Sequence, residues 1–242
     1  MQNKNNPEYL YISELIDIES FLKNYNNFIV GLLIKYFKGM QTVVDFGSGI
    51  GTLSHIFKSK TGISPICIEL DERLLDFLQK RKFETLQNLE DVNFEIEGIF
   101  TSNVLEHIED DVEILDKIYS KMKKNSKLAI FVPAFMILYS DLDKKVGHYR
   151  RYERKEIIEK VQNAGFKINK IHYFDSVGFI VSFFLALALK GGMFTKNEEV
   201  EFPTHPVLMK IYDRLMFPLS CFLDLIGFRF LFGKNIYLEA EK

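Results

Sequence analysis

The sequence has 242 residues, 47% of them hydrophobic, which is enough for one elaborated globular domain with its own core. Its 31 lysines and arginines nearly balance 33 aspartates and glutamates, so overall charge gives no support to a nucleic-acid partner, and we expect none. The start, MQNKNNPEYL, lacks the pattern of a secretory signal, and Cys67 and Cys221 lack metal-site spacing, which predicts core thiols in a cytoplasmic protein.

The first part of the chain reads as helix, strand and helix. Apolar residues at helical spacing over residues 8–37 predict one or two leading helices that end at Lys38-Gly39. A β-branched run at residues 42–46 predicts the first strand, and a helical pattern resumes at residues 52–60. The glycines between them therefore lie in a strand-to-helix turn.

Strands and helices alternate along the following residues. We expect strands at residues 66–70, 83–86, 96–103, 127–133, 167–173 and 235–241, and helices at residues 72–81, 111–123 and 154–164. Several of the strands are apolar almost without interruption, which is typical of a parallel sheet covered by helices on both faces. The fold class is therefore α/β.

A long hydrophobic stretch interrupts this alternation before the last strand. About sixty residues separate the last two strands, where a hairpin needs only a few. Residues 177–189 carry no charge but are too short to span a bilayer. In residues 207–232 the charged residues gather towards one helical face and the apolar residues towards the other. The charged set is Lys210, Asp213, Arg214 and Asp224, and the apolar set is Leu208, Ile211, Leu215, Leu219, Phe222 and Ile226.

Three interpretations of residues 177–232 stay open. The helices could bury their apolar faces against each other over an active site. They could form a lid that binds a lipid-linked or other hydrophobic acceptor, or that rests on a membrane surface. They could instead form a homodimer interface.

The glycine turn has a spacing that separates nucleotide folds. Gly47, Gly49 and Gly51 give G-x-G-x-G, with Asp45 two residues before the first glycine. A dinucleotide-binding turn needs a glycine at the position of Thr52, and a P-loop needs Gly-Lys-Ser/Thr, so both are disfavoured. The glycines alone are also compatible with an ordinary turn.

The string DFGSGIG resembles motif I of the class I S-adenosylmethionine-dependent methyltransferases. The resemblance continues at Glu69, the acid that ends the second strand, and in the phrase NVLEHIEDD after the fourth strand. It implies a Rossmann-like seven-stranded sheet with an antiparallel last strand and a hydrophobic helical insertion before that strand. The implied segments are leading helices (1–40), a cofactor-binding core (41–175), a helical lid (176–233) and the final strand (234–242).

The resemblance implies S-adenosylmethionine as the cofactor and residues that would hold it. In the family the glycine loop approaches the methionine part, and the acid after strand two takes both ribose hydroxyls, as a carboxylate can. The residues after strand three contact adenine, and the start of the phrase after strand four lies beside the sulfonium. The implied cofactor-binding residues are Asp45, Phe46, Gly47, Ser48, Gly49, Gly51, Glu69, Leu70, Asn88, Leu89 and Asn103.

Two histidines are candidates for the base that removes the acceptor's proton. Ligands of such sheets gather at the carboxyl ends of strands, which places His107 and His148 near the methyl group. His107 could equally be a helix-start residue bonded to the backbone. Related methyltransferases that hold magnesium have an acid where Asn103 stands here, so Glu106 and the two histidines make a poor metal set, and we expect no metal.

A basic and aromatic segment follows His148. Tyr149, Arg150 and Arg151 are candidate substrate-binding residues, because paired arginines offer a fork for phosphate or carboxylate. The segment could instead be a solvated helix start. The phrase GHYRRY is similar to one in methyltransferases of surface-glycan and lipid-carrier pathways.

The resemblance and these residues together predict a methyltransferase. We expect O-methylation of a sugar or a lipid-linked glycan intermediate. The alternatives are a small aromatic or quinone-type acceptor held by the phenylalanine-rich lid, and a cofactor-binding scaffold without catalysis. We expect a cytoplasmic location, with peripheral contact to the inner membrane face through residues 177–232 as a further alternative.

Overall fold

The computed structural model describes residues 7–190 and 206–242. Two helices lead and strands then alternate with helices, as the sequence predicts. The helices are α1 (Pro7–Phe21), α2 (Lys23–Tyr36), α3 (Thr52–Thr61), α4 (Glu72–Lys80), α5 (Asp111–Lys121), α6 (Asp141–Lys145), α7 (Arg154–Asn163), α8 (Ser176–Lys190), α9 (Pro206–Ile211) and α10 (Phe217–Leu225). The strands are β1 (Val43–Phe46), β2 (Ile66–Ile68), β3 (Thr85–Leu86), β4 (Ile96–Ser102), β5 (Met122–Pro133), β6 (Lys167–Phe174) and β7 (Asn235–Glu241).

The strands form one seven-stranded sheet in the order β3-β2-β1-β4-β5-β7-β6. Strands β1 to β5 pair in parallel, and β7 runs antiparallel between β5 and β6. The expected seven-stranded sheet with an antiparallel last strand is confirmed. Because β7 is reversed, its amino end lies at the same sheet edge as the carboxyl ends of the other strands.

Strand β5 shows why the sheet needs helices on both faces. Leu128, Ile130 and Val132 point to the face covered by α5 and α7, whereas Ala129 and Phe131 point to the face covered by α2 and α3. All five side chains are buried, so the continuous apolar run in the sequence reflects burial on both sides. Cys67 is buried in the core, as predicted, whereas Cys221 is half-buried; both thiols are free.

Several strand boundaries differ from the prediction, including those of β2, β4 and β5. Strand β2 ends at Ile68 and β4 at Ser102, so Glu69 and Asn103 lie in the loops that follow. Strand β5 begins at Met122, within the predicted helix, because Met122 pairs with Ile96 and buries its side chain.

The chain between β6 and β7 forms α8, α9, a π-helical turn (Tyr212–Met216) and α10. This layer packs on α2 and on the end of β6. Among the described residues, no helix combines the length and the apolar character needed to cross a bilayer.

The acids of this layer face inward and its apolar stripe faces outward. Asp213 is 3% exposed and accepts hydrogen bonds from the backbone nitrogens of Asn24 and Tyr25, each at 3.0 Å. Asp224 accepts one from the Asp175 nitrogen at 2.8 Å. The predicted apolar set, Leu208, Ile211, Leu215, Leu219, Phe222 and Ile226, is instead 44–68% exposed. The interpretation in which apolar faces bury each other is therefore wrong for this stripe.

Candidate functional site

The glycine turn joins β1 to α3 with a backbone that side chains would obstruct. Gly47 and Gly51 have φ angles of +77° and +79°, which favour glycine. A Cβ on Gly47 would lie 2.3 Å from Val104 Cγ2, and one on Gly51 would lie 2.7 Å from Leu78 Cδ2. The φ angles and the close packing against Val104 and Leu78 therefore require glycine at both positions.

The side chain of Asp45 links β1 to α3 across the glycine turn. Its carboxylate accepts a hydrogen bond from Ser54 Oγ at 2.7 Å, and its side chain is buried at the end of β1. Burial raises the pKa of Asp45 to about 7, with the hydrogen bond from Ser54 acting to lower it and the charge of Glu69 acting to raise it. Asp45 is therefore a carboxyl group poised between its two protonation states near neutral pH.

Glu69 links the second strand to the glycine turn. Its Oε2 accepts a hydrogen bond from the Gly49 nitrogen at 2.7 Å, and its Oε1 accepts one from the Asp71 nitrogen at 3.0 Å. Burial raises the pKa of Glu69, while these two backbone bonds act to lower it. A carboxylate has about four acceptor sites, so two are left for hydroxyl groups of a ligand.

The residues predicted beside adenine lie along the same sheet edge. Leu70 is 74% exposed and Asn88 is exposed, whereas Leu89 and Phe46 are buried. Asn88 donates its backbone N–H to Asp91 Oδ2 at 3.1 Å. Exposed Leu70 is the apolar surface on which a flat ring could lie here.

A cavity of about 340 Å³ opens between α1, the glycine turn and the carboxyl edge of the sheet. Eight predicted site residues line it: Asp45, Gly47, Ser48, Gly49, Asn103, His107, His148 and Arg151. The other eight are not among its described lining: Phe46, Gly51, Glu69, Leu70, Asn88, Leu89, Tyr149 and Arg150. Asn103 adopts the left-handed conformation, φ +53°, directly after β4. The structure thus brings the glycine turn and both histidines to one cavity.

Asp143 fixes His148 and Arg151 in the cavity wall. Its Oδ1 lies 2.9 Å from His148 Nδ1 and accepts from Arg151 Nε at 2.8 Å, while its Oδ2 accepts from Arg151 Nη2 at 3.1 Å. Burial acts to raise the pKa of Asp143, but the bond from His148 and the charge of Arg151 hold it well below its usual range. Since Asp143 is ionised, His148 Nδ1 donates to it, which leaves His148 Nε2 free to accept a proton.

Glu106 and His107 lie next to the imidazole ring of His148. Burial raises the pKa of Glu106 to about 8, and neither of its carboxyl oxygens has a hydrogen-bond partner among the described residues. Burial and then the charge of His148 lower the pKa of His107 to about 4, so His107 is neutral at pH 7. The rings of His107 and His148 meet edge to face, with centroids 4.5 Å apart.

This trio has the geometry of a possible metal site. One ligand atom each from Glu106, His107 and His148 lie within 4.8 Å of one another. Sequence reasoning judged the set poor because Asn103 replaces an acid, yet the fold brings its three members together. The absence of a metal stays a prediction.

The three residues predicted to clamp an anion point in different directions. Only Arg151 lines the cavity. Arg150 pairs with Asp111 at 2.9 Å and donates to the Glu109 carbonyl at 2.6 Å. Tyr149 is 53% exposed. Arg150 therefore braces the loop before α5, because Asp111 lies within its reach and the cavity does not.

Asp143, Asp175, Tyr212 and Lys234 are among the lining residues that the sequence did not predict. Burial lowers the pKa of Lys234, with the charge of Asp175 acting in the opposite direction. Asp175, buried after β6, accepts hydrogen bonds from Tyr212 Oη and from Ser220 Oγ. One signal could have found Lys234: a residue just before an antiparallel last strand must lie at the ligand edge of the sheet.

Comparisons with known proteins agree with this geometry. A family model described as "Methyltransferase domain" matches residues 20–171. A search of curated proteins found no significant match.

Several solved structures share the fold. A SAM-dependent methyltransferase from Archaeoglobus fulgidus aligns with a TM-score of 0.59 at 19% identity, covering 90% of this chain and 94% of that one. A putative methyltransferase in complex with the Trm112 activator of Haloferax volcanii gives 0.63 at 12% identity, covering 96% and 94%. Phosphoethanolamine N-methyltransferase 2 of Haemonchus contortus, in complex with S-adenosyl-L-methionine, gives 0.59 at 17% identity, covering 100% and 58%.

Proposed function

This chain belongs to the methyltransferase-domain family, and we propose that it transfers a methyl group from S-adenosylmethionine to a hydroxyl group of a sugar or lipid-linked glycan intermediate. The observation that carries the proposal is the cavity itself. It joins the glycine turn at one end to a carboxylate-held histidine and two cations at the other. Such a cavity can hold a methyl donor and an acceptor side by side.

The residues of the glycine turn fit S-adenosylmethionine. When bound, this cofactor supplies a methyl group on a positively charged sulfur. Gly47 and Gly49 would let the backbone approach its methionine part, and Glu69 would accept its ribose hydroxyls. Asp45, Ser48 and Asn103 would face the methionine and sulfonium region. Leu70 and Asn88 would face the adenine. Phe46, Gly51 and Leu89 would shape the glycine turn and the surface beneath the cofactor.

His148 is the residue that we assign as general base. Asp143 holds its ring, as a carboxylate orients the base in other enzymes that activate a hydroxyl group. His148 Nε2 would take the hydroxyl proton as the acceptor oxygen is methylated. His107, which is neutral and in ring contact with His148, would limit the positions that His148 can take.

The acceptor end of the cavity favours a substrate with an anionic group. Arg151 and Lys234 both line it, and Arg151 Nη1 has no hydrogen-bond partner among the described residues. Asp143 already neutralises part of the Arg151 charge, and Lys234 would supply a second positive charge to the acceptor. A phosphate or carboxylate on the acceptor would satisfy both groups.

The test is methyl labelling of cell extract with S-adenosylmethionine carrying an isotopic methyl group. We expect label in a phosphate-bearing glycan or glycolipid product. His148→Gln should lower kcat at least 100-fold, an ordinary effect for losing a general base, with unchanged affinity for S-adenosylhomocysteine. The matched control is His55→Gln, on the exposed surface of α3.

Three other outcomes would each contradict one part of the proposal: the glycan acceptor, the methyl transfer itself, or the anionic group on the acceptor. Label in a phenol ether would support the aromatic acceptor instead, and cofactor binding without any labelled product would support the scaffold. Lys234→Met should raise KM more than it lowers kcat. An unchanged KM would remove the anionic group from the proposal.

A further inference from the structure

The helices between β6 and β7 present an apolar surface to the outside of the molecule. We define the outer face by the exposed apolar residues of α9, the π-helical turn and α10. They are Val207, Leu208, Ile211, Leu215, Leu219, Phe222, Leu225 and Ile226, and their exposure ranges from 44% to 70%. Single exposed leucines are common on protein surfaces, but a continuous stripe of this length marks an interaction site.

Specific contacts on the opposite side hold the outer face outward. The Asp213 carboxylate accepts two backbone hydrogen bonds from the first turn of α2, at Asn24 and Tyr25. The Phe217 ring packs edge to face on the rings of Tyr25 and Phe28, with centroids 5.1 and 5.5 Å away. A rotation of the helix that buried the leucines would break all of these contacts.

The exposed charges within the segment that carries the outer face have one sign. Within residues 206–226, the exposed charged side chains are Lys210 and Arg214. The two acids of the same segment, Asp213 and Asp224, are buried. The outer face therefore combines apolar side chains with positive charge, which complements an anionic lipid headgroup layer.

We infer that the outer face docks this protein onto a lipid surface that carries anionic headgroups. The helices would lie in the plane of the surface, with their leucines and Phe222 in the acyl boundary and Lys210 and Arg214 at the headgroups. This is peripheral contact, in keeping with the length of the helices. The inference does not rest on the proposed acceptor, because the outer face lies on the opposite side of the helices from the cavity.

Vesicle flotation tests the docking. The full-length protein is mixed with vesicles of phosphatidylcholine alone, or of phosphatidylcholine with phosphatidylglycerol. We expect flotation with the mixed vesicles, weakening as salt is raised because headgroup attraction is screened. Lys210→Gln with Arg214→Gln should lower the partition coefficient by about thirtyfold, and Leu215→Gln with Phe222→Gln should remove binding. The charge-matched control is Lys60→Gln with Lys155→Gln, two exposed lysines on α3 and α7.

Calorimetry with S-adenosylhomocysteine accompanies each variant. Unchanged affinity shows that the fold is intact and keeps a failure of docking distinct from a failure of the proposed function. No flotation of the wild-type protein, or equal flotation of the Lys210 and Arg214 variant, would overturn the inference. A dimer in light scattering that the Leu215→Gln with Phe222→Gln variant converts to a monomer would also overturn the inference, because the outer face would then bind a second copy of this chain.

Discussion

Glu69 is the single residue on which the cofactor site depends most. It accepts a hydrogen bond from the Gly49 nitrogen in the glycine turn, and we propose that its remaining acceptor sites bind the ribose hydroxyls. A hydrogen bond to a charged group contributes about 1.5–3 kcal/mol, so Glu69→Ala should weaken S-adenosylhomocysteine binding at least tenfold in calorimetry. Glu84→Ala, an exposed acid on the loop before β3, is the control. Equal affinity for the Glu69 variant and wild type would refute the ribose assignment.

Glu106 predicts a pH dependence of stability. Burial raises its pKa from 4.5 to about 8, so between these values the folded state keeps a proton that the unfolded chain releases. The unfolded chain therefore binds fewer protons, and this group makes the protein less stable as pH rises from about 4.5 to 8.

Replacing Glu106 by glutamine removes that titration. The unfolding free energy of Glu106→Gln, minus that of wild type, should therefore increase from pH 5 to pH 8 in urea denaturation. Glu84→Gln should show a much smaller change over the same range. A difference for Glu106→Gln that does not vary with pH would mean that Glu106 is ionised in the folded protein.

At the scale of elements, the π-helical turn is tied to α2 through one carboxylate. Asp213 satisfies two backbone N–H groups in the first turn of α2, which has no side-chain cap of its own. Loss of a helix cap costs about 1–2 kcal/mol, so Asp213→Ala should lower the unfolding free energy by that amount. Asp76→Ala, on the exposed side of α4, is the control. A loss no larger than the control's would contradict this role.

Elements differ in how far the sequence determines them. Strand β5 was predictable because burial on both faces leaves a continuous apolar run, and the glycine turn was predictable because Gly47 and Gly51 have steric reasons to be glycine. The orientation of residues 207–232 was not, because periodicity placed Lys210 and Arg214 on one face with Asp213 and Asp224, and this prediction is wrong: the structure exposes the two cations and buries the two acids. The contacts that decide it, at Asn24, Tyr25 and Asp175, lie far away in the chain.

The same limit applies to the basic segment of the site. Arg150 and Arg151 are equivalent in sequence, and only the positions of Asp111 and Asp143 send one to the α5 loop and the other to the cavity. These two adjacent arginines therefore have different roles because they contact different acids in the folded protein.

At the scale of the whole molecule, the helical layer before β7 connects the cavity with the outer face. Tyr212, on its inner side, lines the cavity, while Leu215 and Phe222 face outward. A protein docked through the outer face would hold its acceptor cavity one helix away from the lipid.

The glycine turn and Glu69 form the proposed S-adenosylmethionine site. Isothermal titration of the wild-type protein with S-adenosylhomocysteine, and separately with NAD, is the decisive measurement of this site. We expect saturable one-to-one binding of S-adenosylhomocysteine and no binding of NAD. Binding of NAD, or no heat with S-adenosylhomocysteine, would show that the turn does not hold this cofactor.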